Sequence, residues 1–162
     1  MNYSKLITYD ICNGKGWRVT LFVSGCKRNC KGCFNPQSHD PCYGKPFTND
    51  VKQLIFNELD KDTIDGLSVL GGEPMSVLSD NRKQVIQLCK EVKEKYPNKD
   101  IWMWSGYTYE ELLNNEDTKD IFKYIDILVD GPYDETRKNP NAEFKGSDNQ
   151  RILNIKEIRQ TL

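Results

Sequence analysis

The sequence predicts an α/β fold built on a largely parallel sheet. Two features carry that expectation. Short β-forming segments alternate with segments of helical periodicity, and the unusual residues of the chain fall directly after the β-forming segments. Strand–helix–strand order implies right-handed βαβ units, and in a parallel sheet the segments that follow the strands gather along one edge, where α/β folds place their sites. The 162 residues contain no repeat, low-complexity linker or composition shift, so a single domain over 1–162 with its own hydrophobic core is expected.

The first expected strand is Trp17–Ser24 (WRVTLFVS), which alternates and carries Val19, Leu21 and Val23 on one face. Asn49–Leu59 sets Val51, Leu54, Ile55 and Leu59 at helical spacing. Gly66–Leu70 is a short apolar strand that stops at Gly71-Gly72. Asp80–Tyr96 places Val85, Leu88, Cys89, Val92 and Tyr96 on one helical face, and Pro97 ends it. Asp100–Trp104 is a third strand. Thr108 with Glu111 forms a capping-box signature for a helix, with a second short helix near Asp120–Tyr124. Ile125–Val129 is a fourth strand and Arg151–Ile155 a fifth. Four segments thereby fall at strand ends: the cysteine cluster, Gly71-Gly72-Glu73-Pro74, Ser105-Gly106-Tyr107 and Asp130-Gly131-Pro132-Tyr133.

Composition removes several classes of function. Hydrophobic residues make up 37% and charged residues 29%, a globular balance. No apolar run is long enough to cross a bilayer, and MNYSKLITYD lacks the apolar core of a signal peptide, so no membrane role and a cytoplasmic setting are expected. In that compartment the six cysteines read as thiols or metal ligands rather than disulfides. The net charge is −1 with no basic stripe, which argues against a nucleic-acid partner. A single histidine, His39, excludes sites built from several histidines, and no serine–histidine–aspartate arrangement is present.

The chemistry concentrates in GCKRNCKGCFN, where Cys26, Cys30 and Cys33 have the tight loop spacing of thiolates on one metal centre. A [4Fe–4S] cube usually takes four protein thiolates, so three leave one iron open to a small molecule. Lys27, Arg28 and Lys31 would offset the anionic charge of such a centre, Gly32 lets the backbone come close, and Phe34 can shield it from water. The alternative is structural zinc, with His39, Cys42 or Cys12 as fourth ligand. Cys89 lies on an apolar helix face and reads as a core residue, while Cys12 and Cys42 read as free thiols.

The remaining motifs are less specific. Gly71 and Gly72 remove two side chains at a strand end, so a ligand can approach main-chain N–H and C=O groups, and Glu73 adds a charge suited to an ammonium. A plain strand-to-loop turn explains the same residues. Trp104, Ser105 and Gly106 could flank an adenine or ribose, or the tryptophans could be core. Asp130 could bind a hydroxyl or cap the next turn.

Together these residues resemble a known group. CKRNCKGC is similar to the Cys-x3-Cys-x2-Cys signature of radical S-adenosylmethionine enzymes, and LGGEP to their second-strand motif. More narrowly, WRVTLFVSGC, CKGCFNP, LSVLGGEP, IWMWSGYTYEEL, DILVDGPY and FKGSDNQR, from Trp17 to Arg151, resemble the anaerobic (class III) ribonucleoside-triphosphate reductase activating family.

The resemblance implies a partial (open) β/α barrel of radical S-adenosylmethionine type with a mainly parallel sheet, since about 160 residues fall short of the roughly 250 of a complete eight-stranded barrel. It also implies a [4Fe–4S] cluster on Cys26, Cys30 and Cys33, and S-adenosylmethionine chelating the open iron. Gly71, Gly72, Glu73 and Pro74 would surround the cofactor's amino group, Gly32, Cys33 and Phe34 would lie near its adenine, and Ser105 and Gly106 would belong to the same pocket. One electron, from a donor such as reduced flavodoxin, would cleave the cofactor to methionine and a 5′-deoxyadenosyl radical, which would take a hydrogen from a glycine of the large anaerobic reductase subunit. Arg137 and Asn149, Gln150 and Arg151 would either line a partner-binding face or hydrogen-bond the last strand. Activases of pyruvate formate-lyase and similar enzymes, and a non-catalytic zinc-stabilised module, are the alternatives.

Overall fold

The structure, a computed structural model, describes residues 1–78 and 80–162. Its strands are β1 (Asn2–Asp10), β2 (Arg18–Val23), β3 (Lys45–Pro46), β4 (Gly66–Gly71), β5 (Asp100–Ser105), β6 (Ile127–Asp130) and β7 (Arg151–Asn154). The α-helices are α1 (Asn49–Leu59), α2 (Asn81–Lys95), α3 (Tyr109–Leu113) and α4 (Ile155–Gln160). Among the described residues the strands form one sheet in the order β3-β1-β2-β4-β5-β6-β7.

The local signals account for most of these boundaries. Thr48 caps α1 by accepting the Val51 N–H, and the Thr108–Glu111 capping box forms at α3, Glu111 accepting the Thr108 N–H at 2.7 Å. Short 3₁₀ turns at Pro36–His39 and Lys119–Lys123 complete the connections. β1 and β3 have no counterpart among the expected elements. β1 is half-buried along most of its length, so it lacks the clean apolar alternation that marks β2.

The expected partial β/α barrel with a mainly parallel sheet does not form. The sheet is mixed. β2, β4, β5 and β6 run parallel, whereas β1 pairs antiparallel with β2 and β3, and β7 pairs antiparallel with β6. Helices are few and short, α2 with 15 residues being the longest among those described and α3 having only 5. The reason lies in the connections. Residues 11–17 between β1 and β2 are too few for the dozen or more that a parallel crossover needs. Residues 131–150 between β6 and β7 carry only a 3₁₀ turn, Glu135–Arg137, so no helix returns the chain and β7 comes back antiparallel.

Among the described residues the four α-helices pack on one face of the sheet. Val19, Leu21, Val23, Leu67, Val69, Ile101, Met103 and Leu128 form one core with Ile55 and Leu59 of α1, Leu88 and Val92 of α2, Leu112 of α3 and Ile155 of α4. Each such fully buried aliphatic side chain contributes about 1.5–3 kcal/mol. Cys89 belongs to this core, and burial pushes its thiol up to about 12, so it is inert.

The opposite face is built differently. Arg18 is fully buried there, donating to Ser68 Oγ at 2.6 Å and pairing with Asp100 at 2.8 Å. Residues 138–147 cross over the tryptophans of β5: Trp104 Nε1 donates to the Phe144 carbonyl at 2.6 Å, and the Phe144 ring stands edge-on to Trp102 at 5.1 Å. Among the described residues no helix is long and apolar enough to cross a membrane.

Candidate functional site

The four parallel strands end level with one another, Val23 pairing with Gly71 and Ser105 with Asp130. The segments that follow them meet around a cavity of about 470 Å³ on the helix-free face. That volume lies in the range of small-molecule sites. Cys26, Cys30 and Cys33 line it, together with Gly32, Phe34, Gly71, Gly72, Glu73, Ser105 and Gly106. Of the residues expected at a cofactor site, Pro74 alone is buried behind the wall and does not line the cavity.

Backbone bonds fix the cysteine loop against the second-strand motif. Gly25 N–H donates to Ser38 O at 2.7 Å and Cys26 N–H to His39 O at 3.2 Å. Gly72 N–H donates to Val23 O at 2.7 Å and Glu73 N–H to Gly25 O at 2.9 Å. A Cβ on Gly72 would stand 2.8 Å from Gly25 O and 2.9 Å from Ser38 O, so glycine is required there by the closeness of two backbones. Asn81, the first residue of α2, is fully buried and donates to Ser24 O at 2.9 Å and Glu73 O at 3.3 Å, tying both loops to the helix. The N–H groups of Gly72 and Glu73 are therefore spent inside the protein, contrary to the expectation that they face a ligand.

Glu73 joins the second loop to the third. Its carboxylate accepts Ser105 Oγ at 2.8 Å and Met75 N–H at 3.0 Å on one oxygen, and Gly106 N–H at 2.7 Å on the other. Burial pushes its pKa up, opposed by the Met75, Gly106 and Ser105 hydrogen bonds and by the nearby Arg28 charge. Burial also pushes up the Cys26 thiol, the Arg28 N–H bond opposes this, and the Glu73 and Cys30 charges add to it.

The basic residues of the loop separate. Lys27 and Lys31 are exposed, while Arg28 turns into the cavity with its guanidinium 4.9 Å from the centre of the Tyr107 ring. Its Nε is buried and has no hydrogen-bond partner. Phe34 is 87% exposed, so its ring stands at the cavity rim in water rather than packed over the thiols. Cys12 and Cys42 are exposed and lie outside the cavity lining, while His39 lies within it. Among the described residues no three His, Cys, Asp or Glu side chains converge as a single metal ion requires. The thiolates of an iron–sulfur cube bind separate irons and do not need that convergence.

Asp130 and the 149–151 segment brace the fold, and Gln150 also lines the cavity. Asp130 is fully buried, accepts Tyr109 N–H at 2.6 Å at the start of α3, and accepts Arg151 Nε at 2.9 Å. Asn149 donates to Pro132 O at 2.7 Å and Gln150 to Gly131 O at 3.0 Å. The cavity also gains a wall that sequence reasoning missed: Lys138, Phe144 and Lys145 from the strap over β5. That strap has no periodic pattern, and tertiary contacts such as the Trp104–Phe144 bond and the Phe144–Trp102 ring pair put it there.

A family model described as a 4Fe-4S single cluster domain matches residues 12–153. The chain is also 40% identical over 155 residues to the anaerobic ribonucleoside-triphosphate reductase-activating protein of Pasteurella multocida (strain Pm70), an alignment covering 94% of this chain and 96% of that one. This chain belongs to the anaerobic ribonucleoside-triphosphate reductase-activating protein family. The family member of Enterobacteria phage T4 is 39% identical, covering 94% of this chain and 93% of its own, and that of Escherichia coli (strain K12) is 36% identical, covering 96% and 100%. In this member of the family, the part matched by the 4Fe-4S cluster model contains every segment that lines the cavity.

Proposed function

We propose that this protein cleaves S-adenosylmethionine reductively at a [4Fe–4S] cluster and so installs a glycyl radical on the large subunit of an anaerobic ribonucleoside-triphosphate reductase. The observation that carries the reading is the meeting of Cys26, Cys30 and Cys33 with Gly71-Gly72-Glu73 and Ser105-Gly106 around one cavity. The names of the relatives supply the partner.

The donor set suits the cofactors. Three thiols match a cube with one iron free of protein, and thiolates favour iron–sulfur over hard cations. The amide hydrogens of Gly72 and Glu73 are already taken within the protein, so this strand end suits an amino group, which donates, better than an anion, which would need those donors. Bound together, the cluster and S-adenosylmethionine would supply one-electron reduction of the sulfonium and, from it, hydrogen abstraction from a glycine. The electron comes from an outside donor such as reduced flavodoxin. The chain's own work is to hold, orient and shelter. The helix-backed sheet keeps the four strand-end loops rigid, Trp104 and Phe144 wall the cavity on one side, and Glu73 locks the third loop against the second.

The test is anaerobic purification followed by electron paramagnetic resonance on a mixture of the protein, S-adenosylmethionine, a reductant and a candidate reductase. About four irons per chain and a glycyl doublet on the reductase are expected. A colourless protein that holds zinc and produces no doublet rejects the reading.

A further inference from the structure

We propose that Arg28 is a binding residue for the carboxylate of the cofactor's methionyl group; the inference rests on S-adenosylmethionine being the ligand. Arg28 lies between Cys26 and Cys30, yet its side chain leaves the loop and lies along the third strand end. A Cβ on Gly106 would come within 2.2 Å of Arg28 Cδ and 2.6 Å of Nε. Gly106 is not in the left-handed region, so no turn demands glycine there. A side chain there would stand where Arg28 passes, so Gly106 leaves that path open.

The guanidinium is held but not satisfied. Tyr107 supports it from its ring face at 4.9 Å, and Nε is buried without an acceptor. Glu73 is the carboxylate nearby, but its oxygens already accept Ser105, Gly106 and Met75. The Nε–H is buried without an acceptor and calls for one, and the planar fork it belongs to matches a carboxylate. S-adenosylmethionine carries two positive groups, the sulfonium and the ammonium, and one negative group. The carboxylate is therefore the part of the ligand that Arg28 fits.

The experiment compares two ligands on two variants. Dissociation constants are measured by calorimetry, on anaerobic cluster-loaded protein, for S-adenosylmethionine and for its decarboxylated analogue. Arg28→Gln weakens S-adenosylmethionine by about 10- to 100-fold, the loss of a charge-assisted pair, and leaves the analogue's affinity nearly unchanged. Arg28→Lys, which keeps the charge without the fork, falls between, and it stands in if Arg28→Gln fails to load the cluster. Equal weakening of both ligands overturns the proposal, as does unchanged affinity for S-adenosylmethionine. An altered cluster spectrum in the absence of ligand, with binding unmoved, assigns Arg28 to the cluster instead and also overturns it. If the unsubstituted protein binds neither ligand, the functional reading itself fails and takes the inference with it.

Discussion

Glu73 and Ser105 are bonded across the cavity wall, the Ser105 hydroxyl donating to a Glu73 carboxylate oxygen at 2.8 Å while Gly106 N–H donates to the other at 2.7 Å. Residues that follow two different strands are thereby held by one buried side chain, 2% exposed. Glu73 at this position acts first as a brace.

Glu73→Gln tests the brace. Both oxygens face donors, so an amide must turn its NH2 toward one of them and leave a donor unpaired. The cost of an unsatisfied buried donor is about 1–3 kcal/mol, partly offset by removal of a buried charge. A lower denaturation midpoint and faster hydrogen exchange at Gly106 are expected. An unchanged Gly106 exchange rate would show that the loops are held by something else.

Apart from Cys89 in the core, the cysteines divide into two groups. Cys26→Ala, Cys30→Ala or Cys33→Ala, each removing a thiol that lines the cavity, abolishes the iron and the brown colour. Cys12→Ser and Cys42→Ser, at exposed positions away from that lining, leave iron near four per chain. Iron analysis after anaerobic reconstitution decides it, and loss of iron in Cys42→Ser would reassign the ligand set.

Asp10 makes the fold sensitive to acid. Burial works to raise its pKa, but hydrogen bonds from Asn13 and Thr20, each 2.7 Å, and from Cys12 N–H at 2.9 Å outweigh it and hold the carboxyl low. The unfolded value is about 3.9, above the folded one, so the unfolded chain takes up the proton first as the pH falls. The Asp10 contribution is thus complete above the unfolded value and is lost as the pH drops through the folded value. Asp10→Asn destabilises at neutral pH by about 1–2 kcal/mol and flattens the acid limb. Urea midpoints between neutral pH and about pH 3 measure both; a parallel shift at every pH would refute the linkage.

Arg151 neutralises a buried charge. It donates to Asp130, which is fully buried, and to Glu110 on the surface. The two carboxylates push the Arg151 pKa up, the Asp130 hydrogen bond being the larger cause. Arg151→Ala strands the Asp130 charge at a cost of about 2–4 kcal/mol. Glu110→Ala, which removes only an exposed partner, changes the denaturation midpoint little. If the two variants are equally destabilised, the buried pair is not what holds β7 to β6.

The parallel centre of the sheet was readable because its signals are local. Val19, Leu21 and Val23 alternate, Leu88 and Val92 repeat at helical spacing, and Thr108 with Glu111 marks a helix start within four residues. The edges were not readable. β1 carries no clean alternation, since both its faces are partly wet, and β7 turns antiparallel because of what the 131–150 segment lacks rather than what it contains.

The site divides along the same line. The chain's order of residues was enough to determined which thiols and glycines stand at strand ends, because parallel βαβ geometry sends all those ends to one edge. Side-chain destinations were decided only by folding. Glu73 turned to Ser105 and Gly106, Phe34 stayed in water, Arg28 crossed to Gly106 and Tyr107, and Phe144 came over Trp104 from forty residues away. Periodicity and spacing encode neighbours along the backbone, whereas hydrogen bonds and burial are settled between segments that the sequence keeps far apart.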